Sequence, residues 1–324
     1  MSRVRTIAAV GAATVVMATV AVATVVILTG RPDGPVHGLP LDVAPDSFAA
    51  TAIAVDASVT PSQRLVLAQI TAQPLAHWIA GPSDRVEADV RATVAGAAER
   101  NAIAVLVAYA IPDRDCGGHS AGSATEASGY ARWIDAFVAG LGTATAIVII
   151  EPDALAQLDC LDTRAREARL ADLRYAVDAL VDQGSFVYLD AGHSGWIAPS
   201  EMADRLASAG VGRARGFSLN VSNFNSTDEE LAYGEKITEQ LGSAAHFVID
   251  TSRNGRPSDD SEWCNPPNRA LGEVPTTRTD SPLADAYLWI KTPGRSDGPC
   301  NGGPAAGVWW SDYAIELVLN ARRE

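Results

Sequence analysis

Seven short, nearly uninterrupted apolar runs recur along the chain, at residues 74–80, 102–111, 146–151, 186–190, 216–220, 246–250 and 286–291. Runs of this length fit strands better than helices, and the lack of polar alternation means that both faces are buried. Between them lie stretches such as 88–100, 130–141 and 165–182, apolar at i, i+3 and i+4, which read as helices. Strand followed by helix, seven times over, is an α/β pattern: a parallel sheet covered by helices, closed into a barrel or spread as a wide doubly wound sheet. The 324 residues are enough for one such domain, and a hydrophobic content of 47% excludes disorder as the main state. The chain contains no internal repeat.

The N-terminus stands apart. Arg3 and Arg5 precede an uncharged stretch over residues 6–30, the pattern of a secretory signal, though long enough to span a bilayer. Residues 1–30 are therefore expected to be a signal peptide or a signal anchor. In the second case residues 6–30 tether the protein to the membrane. The Pro-, Gly- and Asp-containing stretch 31–62 reads as a linker, leaving 63–324 as the domain. Export places everything after the leader outside the cell and puts the four cysteines, Cys116, Cys160, Cys264 and Cys300, in an oxidising compartment. Three disulfide pairings are open, of which the sequential one closes two moderate loops. A zinc site is disfavoured, because no Cys-x-x-Cys spacing exists. The net charge of −14, from 25 basic and 39 acidic residues, argues against nucleic acid as a partner and against docking on an anionic membrane surface.

Chemistry-capable side chains collect where the apolar runs end. Tyr109 and Asp115 follow the second run, Glu151 and Asp153 the third, Asp190 and His193 the fourth, and Asn220 and Asn223 the fifth. Asp250 and Arg253 follow the sixth, and Lys291 and Asp297 the seventh. In barrel enzymes the C-terminal strand ends hold the active site. No Gly-rich phosphate loop follows any strand and no His/Asp cluster has metal-ligand spacing, so neither a cofactor nor a metal is expected. Asp153, in Ile150-Glu151-Pro152-Asp153-Ala154-Leu155, is crowded by apolar neighbours that would raise its pKa, as a general acid requires. The competing reading makes it the cap of a helix beginning at Ala154. Asp115 could equally be a turn carboxylate paired with Arg114. Trp78, Trp196 and Trp263 could be core residues or flat faces for sugar rings.

Taken in order, these segments resemble glycoside hydrolase family 6, the cellulases that cleave β-1,4-glucan. The motifs are Tyr-Ala-Ile-Pro-Asp-Arg-Asp-Cys-Gly-Gly (109–118), Ile-Glu-Pro-Asp-Ala-Leu (150–155), Tyr-Leu-Asp-Ala-Gly-His (188–193) and Asn-Val-Ser-Asn-Phe (220–224). They continue with Ile-Asp-Thr-Ser-Arg-Asn-Gly (249–255), Glu-Trp-Cys-Asn-Pro-Pro (262–267) and Trp-Ile-Lys-Thr-Pro-Gly (289–294). The resemblance implies a distorted, TIM-like, seven-stranded parallel (β/α) barrel with two disulfides, Cys116–Cys160 and Cys264–Cys300. It implies hydrolysis with inversion, with Asp153 as general acid and Asp115 as the aspartate that keeps it protonated and helps position water. Asp297 matches the position often proposed as base. Tyr109, Ser120, Asp190, His193, Asn223 and Lys291 match substrate-binding positions, and Trp78, Trp196 and Trp263 match sugar-stacking ones.

Two departures from the family pattern stand out. Arg295 occupies a position where the family carries glutamate, and is expected to flank the cleft and to depress the pKa of Asp297. Pro199 stands where cellobiohydrolases place a distal tryptophan. The segments closed by the two disulfides are also short, so an open cleft and endo action are expected, in a monomer with no carbohydrate-binding module. The expected activity is that of an exported endo-1,4-β-glucanase. The alternatives are a related hydrolase for another β-glucan of the cell envelope and an inactive glycan-binding barrel.

Overall fold

The computed structural model describes residues 34–119, 129–242, 244–256 and 262–322. The leader, Ser120 and residues 31–33 of the expected linker therefore lie outside the described residues. Each of the seven apolar runs contributes a strand: β1 (His77–Ile79), β2 (Val105–Ala108), β3 (Ile147–Ile150), β4 (Phe186–Asp190), β5 (Gly216–Leu219), β6 (His246–Asp250) and β7 (Ala284–Leu288). They form one sheet in the order β1 to β7, every neighbouring pair parallel. Among the described residues no ladder joins β7 back to β1. The seam is bridged instead by Ala76 N–H donating to Trp289 O (3.1 Å) and Trp78 Nε1 donating to Ile290 O (2.8 Å). The sheet is thus a distorted (β/α) barrel, curled but not fully laddered.

The absence of alternation in the strands follows from two cores. Ile147 and Ile149 face the barrel interior with Val105, Val107, Tyr188 and Val248, whereas Val148 and Ile150 face the surrounding helices. Both faces are dry, so both need apolar side chains. Those helices are α3 (Ser83–Glu99), α4 (Tyr130–Leu141), α5 (Thr163–Gln183), α6 (Pro199–Ser208) and α7 (Thr227–Leu241), one in each crossover from β1 to β6. The strand–helix alternation then breaks. Residues 251–283 between β6 and β7 contain no helix among the described residues, and α8 (Ser311–Ala321) follows β7.

The expected linker is a correction. Over residues 34–62 the chain is folded: α1 (Phe48–Val55) lies here, and α2 (Pro61–Thr71) begins here. Val36 is buried within the inner barrel cluster, with Leu39 and Leu41 packed against it. Leu41 bridges to Ile103 at the N-terminal end of β2, so this segment stoppers the barrel at the end opposite the site. Ala49 and Ile53 pack with Leu67, Ile70, Trp289 and Leu317 in a third cluster. Scattered apolar residues among Pro and Gly look like linker by composition, but each fills a specific gap here. A capping box, with Thr60 and Gln63 satisfying each other's backbone N–H groups and Pro61 at the first helical position, starts α2.

A chain beginning at Gly34 should therefore fold, and one beginning at residue 63 should not. Ile53→Ala should cost about 2–4 kcal/mol, the usual range for truncating a buried isoleucine. Thermal melts of the truncations and the variant check this; a cooperative, wild-type-like melt for the 63–324 fragment would contradict it.

Candidate active site

At the C-terminal ends of the strands lies a cleft of about 690 Å³. It is lined by Trp78, Tyr109, Asp115, Asp153, His193, Trp196, Asn223, Trp263, Lys291 and Asp297, with Arg114, His119, Gln157, Glu262 and Arg295. Eleven of the twelve catalytic and substrate-binding candidates from the sequence are described, and ten of those line this space. Ser120 lies outside the described residues, and Asp190 is buried away from the cleft.

Asp153 is placed by a strained turn. Directly after β3, Glu151 (φ 49°) and Asp153 (φ 71°) both adopt the left-handed region, which costs non-glycine residues and concentrates at functional sites. Burial raises the Asp153 pKa to about 7, helped by the Asp115 charge and opposed by Lys291. Its carboxyl has no hydrogen-bond partner among the described residues. The capping reading fails accordingly: only a single 3-10 turn, Ala156–Cys160, follows, and it has no side-chain cap.

Asp190 is a correction to the substrate-binding set. It is 1% exposed, under the turn, and accepts from Asp153 N (2.9 Å), Gly192 N (3.1 Å) and Ser218 Oγ (3.0 Å). Burial and the nearby Asp153 charge raise its pKa too, so the two carboxyls together retain a proton near neutrality. Three donors hold the Asp190 carboxyl in place, and none face that of Asp153. Asp190 thus bonds the turn that carries Asp153 and does not line the cleft.

Asp297 has the opposite environment. Arg253 Nη1 (2.7 Å) and Asn265 N (3.1 Å) donate to one oxygen, and Lys291 Nζ (2.8 Å) to the other. Burial pushes its pKa up, but the Arg253 and Lys291 charges outweigh it and hold the carboxylate below the usual range. Arg295, expected to do this, does not. Its Nε donates to Gly307 O (3.0 Å) and its guanidinium lies 4.7 Å from the Phe48 ring centre. Pro199, at the distal-tryptophan position, is the first residue of α6.

The disulfides are Cys116–Cys160 and Cys264–Cys300, which removes the crossed alternatives. Each anchors part of the cleft. The first ties the loop carrying Asp115 to the turn that follows Asp153. The second ties the loop of Trp263 and Asn265 to the loop of Asp297. Asp115 also accepts from Gln157 Nε2 (3.3 Å), across the first bridge. Arg114 instead reaches back to Tyr109 O and lies 4.4 Å above the Tyr109 ring.

Trp196 and Trp263 are not core, being 39% and 49% exposed, whereas Trp78 is partly buried against the inner barrel cluster and meets Tyr109 edge-on at 5.2 Å while still lining the cleft. His193 accepts at Nδ1 from Gly195 N (3.2 Å) and meets Asn225 Nδ2 there (2.8 Å). Those contacts put its proton on Nε2, and burial lowers its pKa to about 4, so the ring is neutral. Among the described residues no His, Cys, Asp and Glu cluster is placed to hold a metal ion.

A motif model for "Glycosyl hydrolases family 6" matches residues 41–321. The chain belongs to glycosyl hydrolase family 6. Endoglucanase A of Cellulomonas fimi is 45% identical over 263 residues, covering 81% of this chain and 57% of that protein. Endoglucanase A of Thermobispora bispora is 40% identical over 332 residues, covering 99% of this chain and 70% of its own length. The chain thus spans between about half and three quarters of these two relatives. The solved structure of an endoglucanase from Mycobacterium tuberculosis, in complex with a methyl-cellobiosyl-thio-cellobioside, matches with TM-score 0.83 at 47% identity. The match covers 89% of this chain and 99% of that one.

Part of what shapes this family 6 cleft escaped the sequence reading. Arg253 was marked as a strand-end group and Asn265 lies inside a quoted motif, yet nothing in one dimension pairs them with Asp297. Glu230, buried in the first turn of α7, accepts from Ser194 N (2.9 Å) and Asn225 Nδ2 (3.0 Å) and so holds the loop of His193 and Trp196. Burial raises its pKa to about 7. It carries no sequence signal beyond its place on a helix.

Because the Asp115 charge disfavours a second negative charge at Asp153, Asp115→Asn should lower the Asp153 pKa from about 7. Carbon-13 NMR titration of the labelled aspartates would read this directly, and an unmoved midpoint would remove Asp115 from that role. Replacing Cys116 and Cys160 together by Ser should cost about 4 kcal/mol in the chain-entropy account and loosen Asp115. Denaturant melts and the same titration check both effects.

Proposed function

We propose that this chain is an exported, inverting endo-β-1,4-glucanase. The observation that carries the reading is the contrast between two carboxyls on one cleft: Asp153 protonated near neutrality, Asp297 ionised. A glycan-binding barrel has no use for such a pair, whereas glycoside hydrolysis by acid and base needs one carboxyl in each state. The relatives named endoglucanase support the substrate class.

In this reading a glucan chain lies along the cleft with sugar rings against Trp78, Trp196 and Trp263, and with His193 Nε2–H, Asn223 and Lys291 bonding hydroxyls. Tyr109 stays protonated, because burial and the Asp153 charge push its hydroxyl pKa up, and it donates to the ring at the cleavage point. Asp153 gives its proton to the glycosidic oxygen as the bond breaks. Water enters from the opposite face, and its proton leaves toward the ionised carboxylates. Asp297 stabilises the developing positive charge. The Arg253 and Lys291 clamp makes it a weak proton acceptor, which favours a water-relayed route involving Asp115. Ser120 keeps the substrate-binding role that the family resemblance implies. The exposed faces of Trp196 and Trp263 support an open cleft and internal cleavage. The two disulfides and the leader's composition support export.

Viscosity and reducing ends followed together on hydroxyethylcellulose, a neutral soluble substrate, test the activity. A steep viscosity fall per bond cut is the expected result, and no new reducing ends on any β-glucan would leave a glycan binder. The rate should fall as pH rises through about 7, where Asp153 loses its proton. Asp153→Ala should lower glucan cleavage roughly 10²–10⁴-fold yet spare an activated leaving group that needs no proton. NMR should show the α-anomer as first product.

A further inference from the structure

The cleft's cations are not equivalent. Lys291 is paired with Asp297, and Arg114 reaches back onto Tyr109. Arg295 faces the same space, half-buried, with no carboxylate within ion-pair distance among the described residues. One face of its guanidinium is covered by Phe48, and Nε is fixed on Gly307 O (3.0 Å). Neither terminal nitrogen has a hydrogen-bond partner among the described residues. Burial works against its charge, and the group lines the same cleft as Tyr109, Asp153 and Asp297.

A half-buried guanidinium is costly without an anion, and this chain has 39 acidic residues from which a partner could have been drawn. Arg166, Arg205, Arg215 and Arg253, buried or half-buried and paired with carboxylates, illustrate one solution, and the buried Arg169, bonded to the carbonyls of Pro112, Asp113 and Ala154, illustrates another. At Arg295 the stacking and the Nε bond fix the plane while leaving the Nη1–Nη2 edge open. Such an edge matches a planar carboxylate through two parallel hydrogen bonds.

We propose that Arg295 is a specificity residue for an acidic β-1,4-glycan, holding the carboxylate of a uronate-type unit bound next to the cleavage point. The proposal rests on the glucanase reading and names its substrate class more closely. The rest of the protein's negative charge opposes acidic polymers in general. Selection would therefore be local, for a carboxylate seated in this one subsite.

The test compares cello-oligosaccharides of one length, neutral or oxidised at C6 to carboxylates, using kcat/KM for cleavage and calorimetry for binding. The protein should favour the oxidised chains by roughly tenfold or more at low salt, in line with charge-assisted hydrogen bonds, and less at high salt. Arg295→Gln should abolish the preference, Arg295→Lys should keep part of it, and Arg295→Glu should reverse it. A ratio unchanged by Arg295→Gln, in a variant with a wild-type melt, overturns the proposal. If Arg295→Gln does not fold, the wild-type ratio decides: no preference for the oxidised chains overturns it. If no glucan is cut, the glucanase reading fails while the binding ratio still judges Arg295. Neutral chains cut without preference fail the proposal alone.

Discussion

Where a parallel ladder stops, backbone N–H groups lose their partners inside the protein, and buried carboxylates at the strand ends take them over. Glu151, after β3, accepts from Ala110 N and Ile111 N beyond β2 at 2.9–3.1 Å. Asp190, ending β4, accepts from Asp153 N beyond β3. Asp250, ending β6, accepts from Ser222 N beyond β5 (3.1 Å) and Lys291 N beyond β7 (2.9 Å). Each carboxylate therefore fixes the loop of a neighbouring strand. The rim becomes a ring of interlocked turns rather than seven independent ones. That stiffness is what lets Glu151 and Asp153 hold left-handed backbone.

The chemistry depends on exceptions to this rule. Asp153 lies just past a strand end like the clamping carboxylates but faces the cleft and has no donors, so desolvation keeps its pKa raised. Asp297 is also buried, but two cations and a backbone N–H meet its oxygens, so its charge is retained. The same side chain type thus serves opposite ends of a proton transfer. Nothing but the identity of the neighbours separates the two. The disulfides extend the arrangement outward, since each begins one residue from a cleft group: Cys116 beside Asp115 and Cys264 beside Trp263.

Much of the architecture was legible in one dimension. Strands buried on both faces write an unmistakable apolar run, and the strands of all seven runs were found within a few residues. Residues 34–62 were misread because no period marks a segment that plugs a barrel end with single side chains such as Val36 and Leu41. The Thr60–Gln63 capping box was a usable signal that composition masked. The break in alternation after β6 had no signal at all, because an irregular crossover is defined by its tertiary contacts.

By itself the sequence determined the strands, the helices α3, α4 and α5, the end of the barrel on which polar groups gather, and which carboxylates were candidates. Those properties follow from local periodicity and from the direction of the chain through a parallel sheet. Only the tertiary structure decided the state and duty of each group. Asp153, Asp190 and Asp250 look alike as strand-end aspartates. One faces a cleft and two are sealed beneath it. Arg253, Lys291 and Arg295 look alike as nearby cations, yet two are tied to Asp297 and one is left with an open edge. Protonation and pairing are set by distances across the barrel, between residues tens of positions apart, and such distances come into being only when the sheet curls.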